Sequence, residues 1–357
     1  MRQIILSELL PGMILARSII NSKGQVLLVS GTILTDEYIR KLHLLKIDTL
    51  FISDGKYDDI IIPEYLSLET QQRALSILSS TMDRIERDGT FSVNEIFSVA
   101  SDIVEELVSL PNVTIHLTGI ATHDNYTLAH SLNCSIYAAL LARFCGFTTS
   151  QLKVITCGAL LHDMGKTEID KDILNKPESL TEDEFNIIKD HPVRGFNLLT
   201  KKRLEISSLV AHMAWQHHEK VDGSGYPRGL QGEEILSYAR LLAIIDVYEA
   251  ITGHRPYRQA MSPEDAYDTI LAGLGKAFDR EFGQVFLSKI AFYGPGTEVT
   301  LNTGWKAVIV SLPPDSPQRP IIRLIAYPDG RPYTPPLTIK LTDYPDISIR
   351  KPTQQKG

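Results

Sequence analysis

Residues 217–230 place two adjacent histidines and a carboxylate directly before a loop that contains three glycines. Apolar residues recur at helical spacing from Ile206 to Met213, which predicts a helix that ends at His217 and His218. Glycines end helices and allow the backbone to approach a ligand closely. The stretch therefore predicts two imidazoles at a rigid helix end beside an open loop, as in an accessible metal site. A solvated helix end followed by a polar turn is the alternative.

Histidines are concentrated in one part of the chain, since eight of the ten lie between His123 and His254. A single helical histidine is more often a hydrogen-bonded core or surface residue than a metal ligand. Two aspartates in apolar runs, Asp163 and Asp246, are more informative, because a buried carboxylate is costly unless it is paired or bound to metal. Imidazoles and carboxylates on successive helices suit two divalent ions of Mn, Fe, Ni, Cu or Zn. The candidate ligands are His130, His162, Asp163, His191, His217, His218 and Asp246.

Composition narrows the classes of function. The 357 residues carry a formal net charge of -7, which disfavours a general nucleic-acid or acidic-membrane binder, so we expect no nucleic-acid polymer as a partner. The sequence has no apolar run of about 18 residues and no signal-peptide layout, so we expect no membrane span. The three cysteines form no CxxC pair, which predicts buried thiols and a cytoplasmic location.

Hydrophobic patterns predict four regions and a mainly α fold class. Residues 1–55 read as a small α+β domain, and residues 56–115 as a helical connector. Residues 116–295 predict an all-α bundle, in which metal ligands can project inward from facing helices. Residues 296–357 predict a small β-rich appendage with a loose tail.

Capping residues and proline pairs predict where elements begin and end. Helix starts are expected at Thr35, at Ser150 and at Ser262, and Thr181 with Glu184 forms a capping box. His191 precedes a proline, which predicts a break between helices at that point. A turn is predicted at residues 335–336, where two prolines are adjacent.

Several of these motifs, taken together, closely resemble those of the HD-GYP domain. They are His162-Asp163, His217-His218-Glu219 and the loop of residues 222–230, followed in matching order by Asp246 and residues 256–258. The resemblance covers roughly residues 115–295 and implies an HD-type helical bundle. The family is the bacterial cyclic di-GMP phosphodiesterase branch of the HD phosphohydrolases. It therefore implies an enzyme that hydrolyses cyclic di-GMP to linear pGpG, with GMP as a further product.

The resemblance also implies a ligand set. One metal would be held by His130, His162, Asp163 and Asp246, and another by Asp163, His191, His217 and His218, with Asp163 bridging. Some family members hold a third metal through a glutamate one helical turn before the first histidine. Tyr126 occupies that position here, so we expect two divalent ions, with Fe or Mn as the leading candidates.

The remaining roles implied by the resemblance concern catalysis and substrate binding. Asp163 and Lys166 are the candidate catalytic residues. The candidate substrate contacts are Lys166, Arg255, Arg258, Gly223, Gly225 and Tyr226. For both arginines, an ordinary solvated side chain is the alternative. Glu219 is expected to support the loop or a histidine.

The expected mechanism follows from charge. Two metals lower the pKa of a bridging water and neutralise the phosphodiester, so the resulting hydroxide would attack phosphorus in line. A catalytically weak cyclic-dinucleotide sensor or interaction protein is one alternative, and an HD phosphohydrolase for another nucleotide is a second. Cyclic di-GMP is the expected ligand, and a homodimer or a signalling partner bound through residues 1–55 is left open.

Overall fold

The computed structural model describes residues 1–45, 47, 49–111, 113–116, 126–176, 178–201, 206–253 and 260–350, and of Tyr126 the backbone alone. The chain begins with a small α+β unit. Its elements are β1 (Arg2–Ile5), β2 (Ile14–Leu15), β3 (Ile19–Ile20), β4 (Val26–Leu28), α1 (Asp36–Leu44) and β5 (Thr49–Ser53). Strand β5 lies between β1 and β2 and is antiparallel to both. Thr35 caps α1 as predicted, because its hydroxyl accepts from the Tyr38 amide at 3.3 Å.

Helices make up the middle of the chain. They are α2 (Leu68–Asp88), α3 (Val93–Ser109), α4 (Tyr126–Phe144), α5 (Thr149–Leu161), α6 (Lys171–Leu174), α7 (Glu182–Ile188), α8 (His191–Thr200), α9 (Ser208–Gln216), α10 (Ser237–Thr252), α11 (Pro263–Gly273) and α12 (Arg280–Lys289). Apolar residues of α2 and α3 belong to the same large core as those of α4, α5, α9 and α10. This core fixes the relative positions of the helices that carry the histidines.

Most predicted helix starts are confirmed. Thr181 and Glu184 form the expected capping box, Ser262 caps α11, and α8 begins at His191 just after α7 ends. The cap predicted at Ser150 is wrong, because Thr148, two residues earlier, caps α5. Thr148 has Gln151 three residues later, whose side-chain oxygen accepts from the Thr148 amide at 2.8 Å. Ser150 has a lysine at the equivalent position, which offers no acceptor.

The chain ends in a small β unit. Strand β6 (Ile115–His116) pairs in parallel with β7 (Ile290–Ala291), and β8 (Glu298–Thr300), β9 (Lys306–Ser311), β10 (Ile321–Ala326) and β11 (Pro332–Lys340) form a sheet in the order β11-β10-β9-β8. The turn predicted at residues 335–336 is wrong, because both prolines lie inside β11. Strand β11 is an edge strand, and its pairing with β10 is irregular beside these residues, so the missing amide hydrogens cost no ladder bond.

The fold class is confirmed as mainly α, with small sheets near both ends of the chain. Among the residues that the structure describes, no helix is both long and apolar enough to cross a bilayer. The four predicted region boundaries stay predictions.

Candidate metal centre

The seven candidate ligands lie together where α4, α5, α8, α9 and α10 meet. His130 is within α4, Asp246 is within α10, and His191 begins α8, while the other four follow the ends of α5 and α9. Each histidine has a ring nitrogen 3.1 to 3.8 Å from an oxygen of Asp163 or Asp246. The structure therefore brings together all seven side chains from five elements, although their metal-binding roles stay predictions.

Three of the imidazoles are oriented by their own backbone. The Nδ1 atoms of His162, His191 and His217 lie within hydrogen-bonding distance of the carbonyl oxygen three residues earlier in the chain. The acceptors are Ala159, Ile188 and Ala214, at 2.7, 2.7 and 2.9 Å respectively. A carbonyl oxygen can only accept, so each Nδ1 carries the proton and each Nε2 presents a lone pair.

His130 is oriented differently, by a side chain from another helix. Its Nδ1 bonds to the Glu249 carboxylate of α10, and its Nε2 lies 3.1 Å from Asp246. Asn133 of α4 donates from Nδ2 to the other Glu249 oxygen at 3.2 Å. Carboxylates that hold a metal-ligating histidine in this way fix its tautomer and ring plane. The sequence analysis missed Glu249, although the cost of burying a carboxylate in an apolar helix applies to it as it does to Asp246.

The two oxygens of Asp163 face opposite groups of imidazoles. Oδ2 is 3.5 Å from His162 Nε2 and 3.8 Å from His130 Nε2. Oδ1 is 3.3 Å from His191 Nε2 and 3.8 Å from His217 Nε2. A carboxylate between two groups of imidazole nitrogens has the position that a ligand shared by two cations requires.

The position of Asp163 depends on a close backbone approach. Asp163 leads into a 3-10 turn, Met164–Glu168, which packs against α8. A Cβ atom on Gly165 would lie 2.0 Å from the His191 carbonyl oxygen and 2.5 Å from the Gly195 nitrogen. Only glycine at residue 165 therefore lets the turn that carries Asp163 come this close to His191.

The protonation states of four candidate ligands, His162, His217, His218 and Asp163, match those that metal binding requires. Burial lowers the pKa of His162, and burial together with neighbouring imidazoles lowers that of His217 far below its usual value. Burial also lowers the pKa of His218, to about 3. Burial alone would raise the pKa of Asp163, but the Lys166 ammonium and nearby imidazoles hold it well below its ordinary value. These imidazoles are therefore neutral and Asp163 is ionised at neutral pH, as metal binding requires.

Two buried atoms at the centre lack a hydrogen-bond partner among the described residues. They are Nε2 of His162 and Oδ1 of Asp163, in residues that are 0% and 2% exposed. Leaving such atoms unsatisfied costs free energy, and a cation between them would remove that cost. The buried cluster therefore fits a divalent metal centre, with ligand atoms of several side chains within 4.8 Å of one another.

Cys134 is an additional member of this cluster that the sequence analysis assigned only as a buried thiol. It lies one helical turn after His130, with its sulfur 3.7 Å from both ring nitrogens of His130. Burial raises the pKa of the thiol to about 12, so it is protonated at neutral pH and is a poor ligand in that form.

Two family models match the chain. Residues 119–282 match the model of the HD domain, and residues 298–357 match that of a KOW domain associated with the HD domain. Residues 119–282 therefore form an HD domain.

Several curated proteins are similar to part of the chain. Cyclic di-GMP phosphodiesterase PA4108 of Pseudomonas aeruginosa is 32% identical over 256 residues, which cover 70% of this chain and 61% of that protein. The cyclic di-GMP phosphodiesterase response regulator RpfG of Xanthomonas campestris is 40% identical over 160 residues, 45% of this chain and 42% of that one. The 3'3'-cGAMP-specific phosphodiesterase 3 of Vibrio cholerae is 32% identical over 197 residues, 51% of this chain and 42% of that one. The chain thus spans less than two thirds of the length of each relative.

The glycine-rich loop of the HD domain is tied to its histidine pair by Glu219. This buried carboxylate accepts from the amides of Arg228 at 2.8 Å and Leu230 at 3.0 Å, as expected for a residue that supports the loop. A Cβ atom on Gly225 would lie 2.3 Å from the Lys220 nitrogen, so this position also requires glycine.

The structure describes some, but not all, of the candidate substrate-contact residues. The Tyr226 ring packs on His218, with 4.8 Å between centroids, and Lys166 donates to Asp163 Oδ2 at 2.5 Å. Gly223 lies in the loop beside Gln231, away from the ligand contacts given above. Arg255 and Arg258, like the side chain of Tyr126, lie outside the described residues. The substrate-binding roles of all these residues stay predictions.

Proposed function

We propose that this chain is a metal-dependent phosphodiesterase that hydrolyses cyclic di-GMP. The observation that carries the proposal is the position of Asp163, whose two oxygens face two separate groups of imidazole nitrogens. The HD domain and the names of its curated relatives support the same chemistry.

Two divalent ions, Fe or Mn, are the cofactors in this proposal. His130, His162 and Asp246 would hold one ion, His191, His217 and His218 would hold the other, and Asp163 would be shared. When bound, such ions supply an activated water and positive charge for attack on a phosphodiester. The hydroxide expected between them stays a prediction.

The chain's own residues would position the substrate. The Lys166 ammonium, with a side chain 23% exposed, lies at the rim of the centre beside Asp163 and would contact a phosphate oxygen. The half-buried Tyr226 ring, packed on His218, presents an aromatic face against which a nucleobase can stack. Arg255 and Arg258 are proposed as further phosphate contacts. The proposed product is linear pGpG, with hydrolysis continuing to GMP.

A second candidate substrate is 3'3'-cGAMP, because one of the similar proteins is named as specific for it. Both substrates share the phosphodiester that the metal centre would attack, so the choice between them depends on contacts with the bases.

The test uses full-length protein loaded anaerobically with Mn or Fe, with metal content measured before each assay. We expect hydrolysis of cyclic di-GMP to exceed that of 3'3'-cGAMP and cyclic di-AMP, with pGpG identified by mass spectrometry. Faster hydrolysis of 3'3'-cGAMP would transfer the assignment to the second candidate. Fully loaded protein that binds a cyclic dinucleotide but hydrolyses none would instead be a sensor.

Three further points belong to the same proposal. We propose the four regions with the boundaries given by the sequence, a cytoplasmic location, and a homodimer or a signalling protein as the partner of residues 1–55. Size-exclusion chromatography with light scattering tests the homodimer directly.

A further inference from the structure

A cavity lies between the N-terminal α+β unit and the helices. Its walls include residues 16–20, 47 and 49–51 of that unit, residues 64–66, 68 and 71, and the face of α4 that carries Asn133, Ile136 and Tyr137. Its volume is about 310 Å³, enough for about ten water molecules and at the lower end of the range for small-molecule sites. A cyclic dinucleotide is too large for it.

The cavity combines aromatic walls with one cation. Phe51, Tyr65 and Tyr137 line it, and the Arg17 guanidinium carbon lies 4.2 Å from the centroid of the Phe51 ring. Arg17 is the only lysine or arginine among the described lining residues. These groups suit a molecule with an apolar body and a single acidic group.

Among the described residues, the Arg17 guanidinium pairs with one carboxylate, and one of its terminal nitrogens donates to the Ile62 carbonyl oxygen at 2.9 Å. Its Nε lies 2.8 Å from Glu64 Oε1, but the Glu64 side chain is 42% exposed and that of Arg17 only 15%. Solvent therefore screens the carboxylate more than the guanidinium. Burial lowers the pKa of Arg17 against the effect of Glu64, and the positive charge of Arg17 adds to burial in lowering the pKa of His116. The contribution of Arg17 to the His116 shift indicates a positive potential beside Tyr65, which bonds to His116.

Asn133 connects the cavity to the metal centre. It lines the cavity on the same face of α4 as Ile136 and Tyr137, and it donates to Glu249. Glu249 in turn holds Nδ1 of His130. A molecule in the cavity would therefore contact a side chain that is two hydrogen bonds away from a candidate metal ligand.

We propose that this cavity binds a small organic acid, with its acidic group at Arg17 and its apolar body against Phe51 and Tyr137, and that binding is coupled to the metal centre through Asn133. The binding step is independent of the proposed hydrolysis. The coupling step rests on the proposed metal centre.

The binding test uses full-length protein, with phenylacetate as the probe and phenylacetamide as its uncharged match. We expect calorimetry to give a dissociation constant of about 1 mM or lower for phenylacetate, and at least about tenfold weaker binding of phenylacetamide. Arg17→Met should abolish the difference, whereas Arg87→Met should not, since that side chain is 69% exposed on α2. Absence of phenylacetate binding, or equal binding of both probes to the unmodified protein, overturns the site.

A second variant keeps the binding test decisive if Arg17→Met fails to fold. Gln71→Trp adds volume to the cavity wall on α2 without removing a charge, so it should abolish phenylacetate binding. Unchanged binding to folded Gln71→Trp would place the probe elsewhere and overturn the proposal.

The coupling test compares phenylacetate affinity in metal-loaded and metal-free protein. We expect the two dissociation constants to differ by at least about threefold, because linkage requires metal and probe to change each other's affinity equally. Asn133→Leu should bind the probe but remove this difference. Equal affinities in the two unmodified forms overturn the coupling. The coupling test contains no dinucleotide, so it does not depend on hydrolysis. A protein that shows the coupling but hydrolyses no dinucleotide would contradict the proposed function and leave this inference standing.

Discussion

The two halves of the histidine cluster are oriented in different ways. His162, His191 and His217 each donate to a carbonyl three residues earlier, so a helix end or tight turn sets the ring. His130 instead depends on Glu249, which is 119 residues away in sequence and lies on another helix. Ring orientation in one half is therefore a local property of the backbone, whereas in the other it requires α4 and α10 to pack correctly.

This difference shows which parts of the centre tolerate change. Every residue has a backbone carbonyl, whatever its side chain. Substituting the acceptor residue therefore does not remove the hydrogen bond that orients a histidine ring in the local half. The Glu249 bond can be lost in one substitution. Asp163 has an oxygen within 3.8 Å of His130 and of all three locally oriented histidines, so it contacts both halves.

The largest effect is expected for Asp163→Ala, because this carboxylate faces both halves. The variant should retain almost no metal and should lose at least about 10³-fold in kcat for the proposed hydrolysis. Metal content by mass spectrometry of the purified protein and product formation measure the two effects. Asp163→Asn keeps the shape and removes the charge, so it should behave in the same way. Full activity in either variant would discard the bridging role.

The next effect is expected for Gly165→Ala, which would push the turn that carries Asp163 away from His191. The added Cβ would clash with the His191 carbonyl, so the free energy of unfolding should fall by about 3 kcal/mol and metal affinity should fall with it. Urea denaturation and metal titration measure these changes. Gly195→Ala is the matched control on the opposite side of the contact, where the nearest atom would be 3.4 Å away. The control should stay within about 1 kcal/mol of the unmodified protein.

A smaller effect is expected for Glu249→Gln, which tests the long-range half alone. Glutamine is a weaker acceptor for the His130 ring, so metal affinity should fall by about 10- to 100-fold while the local half is unchanged. Competition with a metal chelator measures the affinity. Glu233→Gln, in the exposed turn before α10, is the control and should have no effect. Equal affinity in Glu249→Gln would remove the distinction between the halves.

The smallest effect is expected for Cys134→Ala. The protonated thiol lies beside His130 but is not needed as a ligand, so metal content should be unchanged, and stability should fall by about 1 kcal/mol from the lost packing. Metal analysis and thermal unfolding measure both. Loss of metal would instead make Cys134 a ligand of the His130 half.

The element boundaries that carry the locally oriented histidines could be predicted from the sequence for a physical reason. Capping residues, the break before Pro192 and the helix end at His217 are all set within a few residues. Prediction from local sequence failed where two possible helix caps, Thr148 and Ser150, lie close together. It also failed where an edge strand accommodates two adjacent prolines.

What the sequence could not supply is the packing of distant helices. The contacts between His130 and Glu249, and between Gly165 and α8, depend on a core shared by several helices. Glu249 carried a usable signal, since it stands three residues after Asp246 in the same apolar run. The cost of burying a carboxylate in an apolar helix applies to Glu249 as it does to Asp246.

The attachment of Glu219 to the amides of Arg228 and Leu230 has a mechanical consequence. Glu219, which follows His218 in the chain, is hydrogen-bonded to the C-terminal end of the loop. Movement of the loop away from the centre would therefore also displace His218. Substrate and product must therefore enter and leave along another side of the centre, or their passage would displace the His218 ring.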